Sequence, residues 1–134
     1  VWSQQAYLKA SNTEAGDQFG ASVALDGDVL AVSAAFEDGP GYGVNPGPAA
    51  EGSNGAVNSG AVYVFVRSNG LWSQQVYAKA SNTTTNYQFG SSVALSGDTL
   101  AVGSIGESAN LTGVIAGNSD DISAPNSGAV YVWR

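Results

Sequence analysis

The sequence of 134 residues contains no cysteine and no histidine. Without cysteine the chain cannot form a disulfide framework or a thiolate zinc site. Without either residue it also lacks the commonest general base, the imidazole metal ligands and the thiol nucleophile. No Gly-x-Ser-x-Gly elbow occurs, and nothing singles out a carboxylate pair suited to glycoside hydrolysis. We therefore predict that the protein is not an enzyme.

Positive charge is also scarce, since four Lys and Arg face eleven Asp and Glu and the net charge is −7. There is no basic patch to meet phosphates, which argues against nucleic-acid binding. No apolar run approaches the length of a membrane span, and no signal peptide is visible. The chain starts at Val1, so we expect a processed protein or a piece of a longer one. Few charges with abundant Asn, Ser, Thr and Gly predict an extracellular or cell-surface location.

The chain contains an internal repeat of about 70 residues. Trp2–Gln5 returns as Trp72–Gln75, and 22 of the 33 positions from Trp2 to Ala34 match their partners at this offset of 70. Asn58–Val64 returns as Asn126–Val132, at an offset of 68. Repeats of this kind are normally supersecondary units that must stack on neighbours to bury their apolar surface.

Each repeat contains four strand-like segments joined by Gly-containing turns. Both faces of Ala61–Val66 are apolar, which predicts a sheet covered on both sides. Trp2–Tyr7 is largely polar, which is typical of an outer edge strand. The pattern predicts an all-β protein of two four-stranded antiparallel β-propeller blades.

The positions at which the two repeats begin and end give the expected domain boundaries. Residues 1–70 form the first repeat, with an outer strand at 1–10 and a blade at 18–67. Residues 71–134 form the second, with the outer strand at 71–80 and a blade at 88–134 that lacks its own last strand. Two blades cannot close a ring, so we expect completion by strands shared with copies of the chain or with further repeats of a longer chain. A closed ring and an open fibre both remain open.

The residues Phe19-Gly20-x-Ser22-Val23-Ala24 return in the second repeat as Phe89-Gly90-x-Ser92-Val93-Ala94. With the Leu-Ala-Val and Ser-Gly-Ala-Val-Tyr-Val segments that follow, they resemble FG-GAP repeats. The resemblance implies propeller blades of the kind found in integrin α chains and in bacterial surface and secreted proteins. The integrin calcium loop is not carried over, because the first hairpins, at 26–28 and 96–98, are too tight to surround Ca²⁺.

Glycine and aromatic residues are the candidates for assembly contacts. We expect the Phe of each Phe-Gly pair to fill the space between blades and the glycines to permit close backbone approach. The Trp and Tyr of the outer strands either cover the blade edges or form a sugar-stacking surface. The full set is Trp2, Tyr7, Phe19, Gly20, Gly60, Trp72, Tyr77, Phe89, Gly90, Gly128 and Trp133.

Two long loops, at 36–59 and 105–127, differ most between the repeats and are the candidates for ligand binding. Their carboxylates suit Ca²⁺, although the Asp-x-Asp-x-Asp-Gly spacing is absent. A solvated acidic loop is the alternative. No other cofactor is predicted, and the candidate calcium ligands are Glu37, Asp38, Glu107, Asp120 and Asp121.

These observations predict a non-catalytic extracellular structural or adhesive module. It would assemble through blade stacking and exchange of the terminal strand. The alternative is a glycan- or protein-binding propeller module, for which dependence on calcium is left open.

Overall fold

The computed structural model describes residues 1–45, 47, 51–117 and 119–134. Seven strands occur in this part of the chain. They are β1 (Val23–Asp26), β2 (Val29–Ala34), β3 (Ala61–Ser68), β4 (Leu71–Ala78), β5 (Phe89–Ser96), β6 (Thr99–Ser104) and β7 (Ala129–Trp133).

The strands form two antiparallel sheets, which we call the first and second blades. The first blade has the order β1-β2-β3-β4 and the second has the order β5-β6-β7. Tight turns join β1 to β2, β3 to β4 and β5 to β6, whereas longer loops make the other connections. Asn69 and Gly70, between β3 and β4, have φ of 51° and 77°. Positive φ at both central residues is what a type I′ hairpin requires, and Asn-Gly supplies it at little steric cost. The all-β, two-sheet prediction is confirmed.

The two blades pack against each other through apolar faces. Phe89, at the start of β5, is fully buried with Ala31 and Val62 of the first blade and Val102 of the second. Its ring also meets Tyr131 edge-on at 5.4 Å. This shared core explains why both faces of β3 are apolar, since one face looks toward the second blade and the other toward a separate cluster.

That separate cluster covers the opposite face of the first blade. Tyr63, Phe65 and Tyr77 are buried there, and Phe19 and Leu8 pack against them. The Phe19 ring meets Tyr63 edge-on at 5.4 Å. Phe19 thus occupies the place on the first blade that Phe89 occupies on the second.

The segments that begin the two repeats differ in structure despite similar sequences. Leu71–Ala78 forms β4, whereas residues 1–10 form no strand. β5 begins at Phe89, whereas β1 begins only at Val23. In both cases the strand forms where a neighbouring part of the fold is present to pair or pack with it. Within the described residues, no helix is long and apolar enough to cross a membrane.

Candidate functional site: the open blade edge and the buried carboxylates

The first candidate site is the outer edge of β7. β7 pairs with β6 on one side, and no strand of the described chain pairs with its other side. In the first blade the equivalent edge of β3 is occupied by β4 over seven residue pairs. The second blade therefore presents a row of backbone donors and acceptors suited to one more strand.

The face of β7 beside this edge is also uncovered. Val62 of β3 is 0% exposed, whereas its equivalent Val130 is 70% exposed. The equivalent glycines Gly60 and Gly128 show the same contrast. A Cβ added at Gly60 would lie 2.1 Å from the Phe89 carbonyl oxygen. At Gly128 the nearest atom would be 3.6 Å away. The back of the second blade thus has the shape of an interblade surface without the neighbouring blade.

The amino-terminal part of the chain carries exposed side chains at positions equivalent to those that pack at the interface between the two blades and along β3. Trp2 and Tyr7 are 102% and 81% exposed. On β1, Val23 and Leu25 are exposed, while the equivalent Val93 of β5 is half-buried. The side chain of Gln5 makes the polar contacts of this segment with the first blade, accepting hydrogen bonds from Arg67 and Trp72.

The second candidate site surrounds Glu37 and is called the Glu37 site. Lys79 donates from Nζ to Glu37 Oε2 at 2.5 Å and to Ser59 Oγ at 2.7 Å. Tyr77 Oη and Asn12 Nδ2 donate to Glu37 Oε1 at 2.9 and 3.1 Å. Both charged groups are buried, with side-chain exposures of 0% for Lys79 and 3% for Glu37. Such a pair is stable in the interior only when its remaining polar atoms are hydrogen-bonded, as they are here.

Burial and charge shift the ionisation of the groups in the Glu37 site. Burial lowers the pKa of Lys79, and the Glu37 carboxylate opposes that shift. Burial, followed by the charge of Glu37, raises the pKa of the Tyr77 phenol well above its ordinary value. The phenol therefore stays protonated and donates to the carboxylate at neutral pH.

The second repeat contains a matching arrangement, called the Glu107 site. Glu107 is 4% exposed and accepts a hydrogen bond from Asn82 Nδ2 at 3.1 Å. Tyr131 Oη donates to Asn82 Oδ1, as Tyr63 Oη donates to Asn12 Oδ1. Burial, followed by the charge of Glu107, raises the pKa of Tyr131 above its ordinary value. None of the ion pairs among the described residues includes Glu107.

The other predicted calcium ligands serve the loops in which they lie. Asp38 accepts the backbone N–H of Asn58 at 2.7 Å. Asp121 accepts hydrogen bonds from Ser123, which lower its pKa, and Asp120 is exposed. Among the described residues no group of three or more His, Cys, Asp or Glu is placed to hold a metal ion. The calcium site stays a prediction to which this geometry adds no support.

The predicted sugar-stacking aromatics do not come together. Tyr77 is buried in the core of the first blade, and Trp72 is half-buried with the Arg67 guanidinium 5.2 Å from its ring centroid. Trp2 and Tyr7 lie on the exposed amino-terminal segment. Trp133, the last assembly candidate, stacks on Tyr131 at 5.8 Å.

Sequence reasoning missed the polar network and its lysine. The signal was present, because Lys9 and Asn12 recur as Lys79 and Asn82 in a chain with only four cations. The repeat marks these positions, but it does not show that Lys79 is buried, because lysine is almost never fully buried unless it is paired.

Two small antiparallel sheets that pack face to face through apolar surfaces define a protein of the β-propeller-blade class. Comparison with protein families agrees: residues 2–65 and 72–133 each match the FG-GAP repeat. The chain belongs to the FG-GAP repeat family. Such repeats are generally non-catalytic structural modules and are typical of extracellular or surface proteins. No curated protein and no solved structure matches the chain.

Proposed function

We propose that this protein is an extracellular structural or adhesive module that assembles by adding its amino-terminal segment to the β7 edge of another copy. The observation that carries the proposal is a matched pair of ends. Among the described residues the second blade has no fourth strand, and residues 1–10, which are equivalent to β4 and the two residues after it, form no strand.

The internal repeat supplies the register of the added strand. In the first blade Tyr63 lies opposite Tyr77, and Val64 lies opposite Val76. Transferred by the repeat offsets, these pairs place Tyr131 opposite Tyr7 and Val132 opposite Ala6. Addition of an extended segment to an open sheet edge is a common mode of recognition, in which backbone hydrogen bonds provide affinity and side chains provide specificity.

Stacking of blades would accompany the added strand. The exposed Val130 and Val132 would be covered by the first blade of the next copy, as Val62 is covered by the second blade within the chain. Val23 and Leu25 would provide the opposing surface. This contact joins two different surfaces, so repeated addition leads to a ring if the rotation closes and to a fibre if it does not.

Cysteine crosslinking tests the register directly, because the chain has no cysteine of its own. The double variant Ala6→Cys with Val132→Cys places the two thiols opposite each other in the proposed interface. Cβ atoms across a strand pair lie about 4.5–5.5 Å apart, close to the spacing a disulfide requires. We expect mild oxidation to produce covalent dimers and higher oligomers, seen on non-reducing gels.

The control is the variant Ala6→Cys with Val130→Cys, which keeps both thiols on one face but shifts them two residues out of register. We expect it to crosslink far more slowly, since diagonal neighbours are about 7–8 Å apart. Equal and slow crosslinking of the two variants would show that the amino-terminal segment does not add to β7.

A further inference from the structure

The Glu37 site is built around the end of the fourth strand of the blade. Tyr77 and Lys79 reach Glu37 from this strand end, two residues apart. The backbone of the long loop holds the strand end from its other side, since Lys79 N donates to the Gly43 carbonyl at 2.9 Å and Val44 bridges to Ala78. The outer strand therefore brings two of the three side chains that donate hydrogen bonds to the buried carboxylate, and Asn12 is the third.

The Glu107 site has the same parts except those that an outer strand brings. Asn82, Ser127 and Tyr131 stand where Asn12, Ser59 and Tyr63 stand in the first repeat, and each makes the corresponding hydrogen bond within its site. The Glu107 oxygen that would face a lysine accepts the backbone N–H of Ala109 at 3.1 Å instead.

The loop beside the Glu107 site is likewise in place. Gly113 has φ of 85°, close to the 77° of its equivalent Gly43. Val114, the equivalent of the bridging Val44, is 104% exposed. A strand placed between β7 and this loop would cover Val114. The two loops differ at one hydrogen bond. In the first repeat the Asn45 side chain accepts the N–H of Tyr77, whereas the equivalent residue in the second repeat is Ile115, whose side chain cannot accept a hydrogen bond.

We propose that Lys9 and Tyr7 of a second copy enter the Glu107 site and select both the partner strand and its register. Lys9 and Tyr7 are the repeat equivalents of Lys79 and Tyr77, and both are exposed in their own chain. The added lysine pairs with Glu107 and Ser127, and the added phenol donates to Glu107. A one-residue slip would turn Lys9 to the other face of the added strand, so the buried carboxylate would gain no cation and the slipped register would lose the stabilisation of the ion pair. This inference rests on the strand addition proposed above.

Exchange of the two charges between copies tests the pairing. In Lys9→Glu the added strand brings a carboxylate to Glu107, and in Glu107→Lys the site meets a second lysine. We expect each variant alone to sediment as a monomer at concentrations where the wild type assembles. A 1:1 mixture restores an opposite-charge pair at every junction, so we expect it to assemble within about tenfold of the wild-type concentration.

Lys79→Met is the matched control for the internal site. We expect it to lower the unfolding temperature of the monomer, whereas Lys9→Met leaves that temperature unchanged and weakens assembly at least tenfold. Lys9 and Lys79 occupy equivalent positions of the repeat, so the difference between the two methionine variants separates an effect on folding from an effect on assembly.

Three outcomes would overturn the inference, and they differ in what they say of strand addition. Assembly of Lys9→Glu or Lys9→Met at the wild-type concentration, with the Ala6–Val132 crosslink intact, refutes the lysine pairing and leaves strand addition standing. Failure of the mixture to assemble, with both variants folded by circular dichroism, refutes the pairing in the same way. A wild-type chain that is monomeric at every concentration refutes strand addition and the pairing together.

Discussion

At the residue scale, the same side chain in the two repeats occupies two different environments. Lys79 is completely buried, and Lys9 is exposed. Val62 is completely buried, and Val130 is 70% exposed. Residue type alone therefore does not decide burial here, because burial depends on whether the adjoining strand or blade is present.

The two equivalent glycines provide a test of this contrast. Gly60 and Gly128 have φ of 84° and 78°, so an alanine costs about 1–2 kcal/mol of backbone strain at either position. At Gly60 the added Cβ would also clash with the Phe89 backbone, which adds about 1–3 kcal/mol of overpacking. We expect Gly60→Ala to lower the free energy of unfolding in urea more than Gly128→Ala, when both are measured as monomers. Equal losses would show that the blades are not packed this closely.

At the element scale, strand formation follows the availability of a partner edge. The segments Trp2–Gln5 and Trp72–Gln75 are identical, yet only the second lies in a strand. β4 has β3 beside it and the Gly43–Asn45 backbone on its other side. Within the described part of the chain the amino-terminal segment has neither.

An appended strand should complete the second blade within one chain. The variant extends Arg134, the equivalent of Val66, with Arg-Ser-Asn-Gly, a copy of the residues that join Val66 to β4, and then with a copy of residues 1–10. We expect a higher free energy of unfolding and loss of self-association, because the β7 edge is filled. Replacing the appended lysine by methionine should remove about 3 kcal/mol of the gain, since the buried Glu107 would lose its cation. Unchanged stability and unchanged self-association in the extended chain would contradict the proposed register.

Much of the fold could be predicted from the sequence, and the reason is the repeat. Two copies of the Phe-Gly and Ala-Val-Tyr-Val segments indicated the strands, and the Asn69-Gly70 turn indicated the β3–β4 hairpin. The Glu37 site could not be predicted in this way. It joins residues from four separate parts of the chain, and Glu37 reads locally as an acidic loop residue suited to solvent or calcium. Only the packed structure shows that its partners are a lysine, a tyrosine and an asparagine.

At the scale of the whole molecule, the described chain has two unlike ends, which we propose to join between copies. One end offers an open edge, an apolar face and a buried carboxylate without a cation. The other offers an extended segment with an exposed tyrosine and lysine. Contacts between unlike surfaces propagate, so the proposed assembly would be a ring or a fibre rather than a dimer with a single shared interface.

Sedimentation velocity over a wide range of protein concentration is the most direct test of this account. We predict that the average mass rises well above the 13.5 kDa of one chain as concentration increases, and that deletion of residues 2–9 abolishes the rise while the blades stay folded. A folded wild-type chain that sediments at 13.5 kDa throughout the range would contradict the central claim.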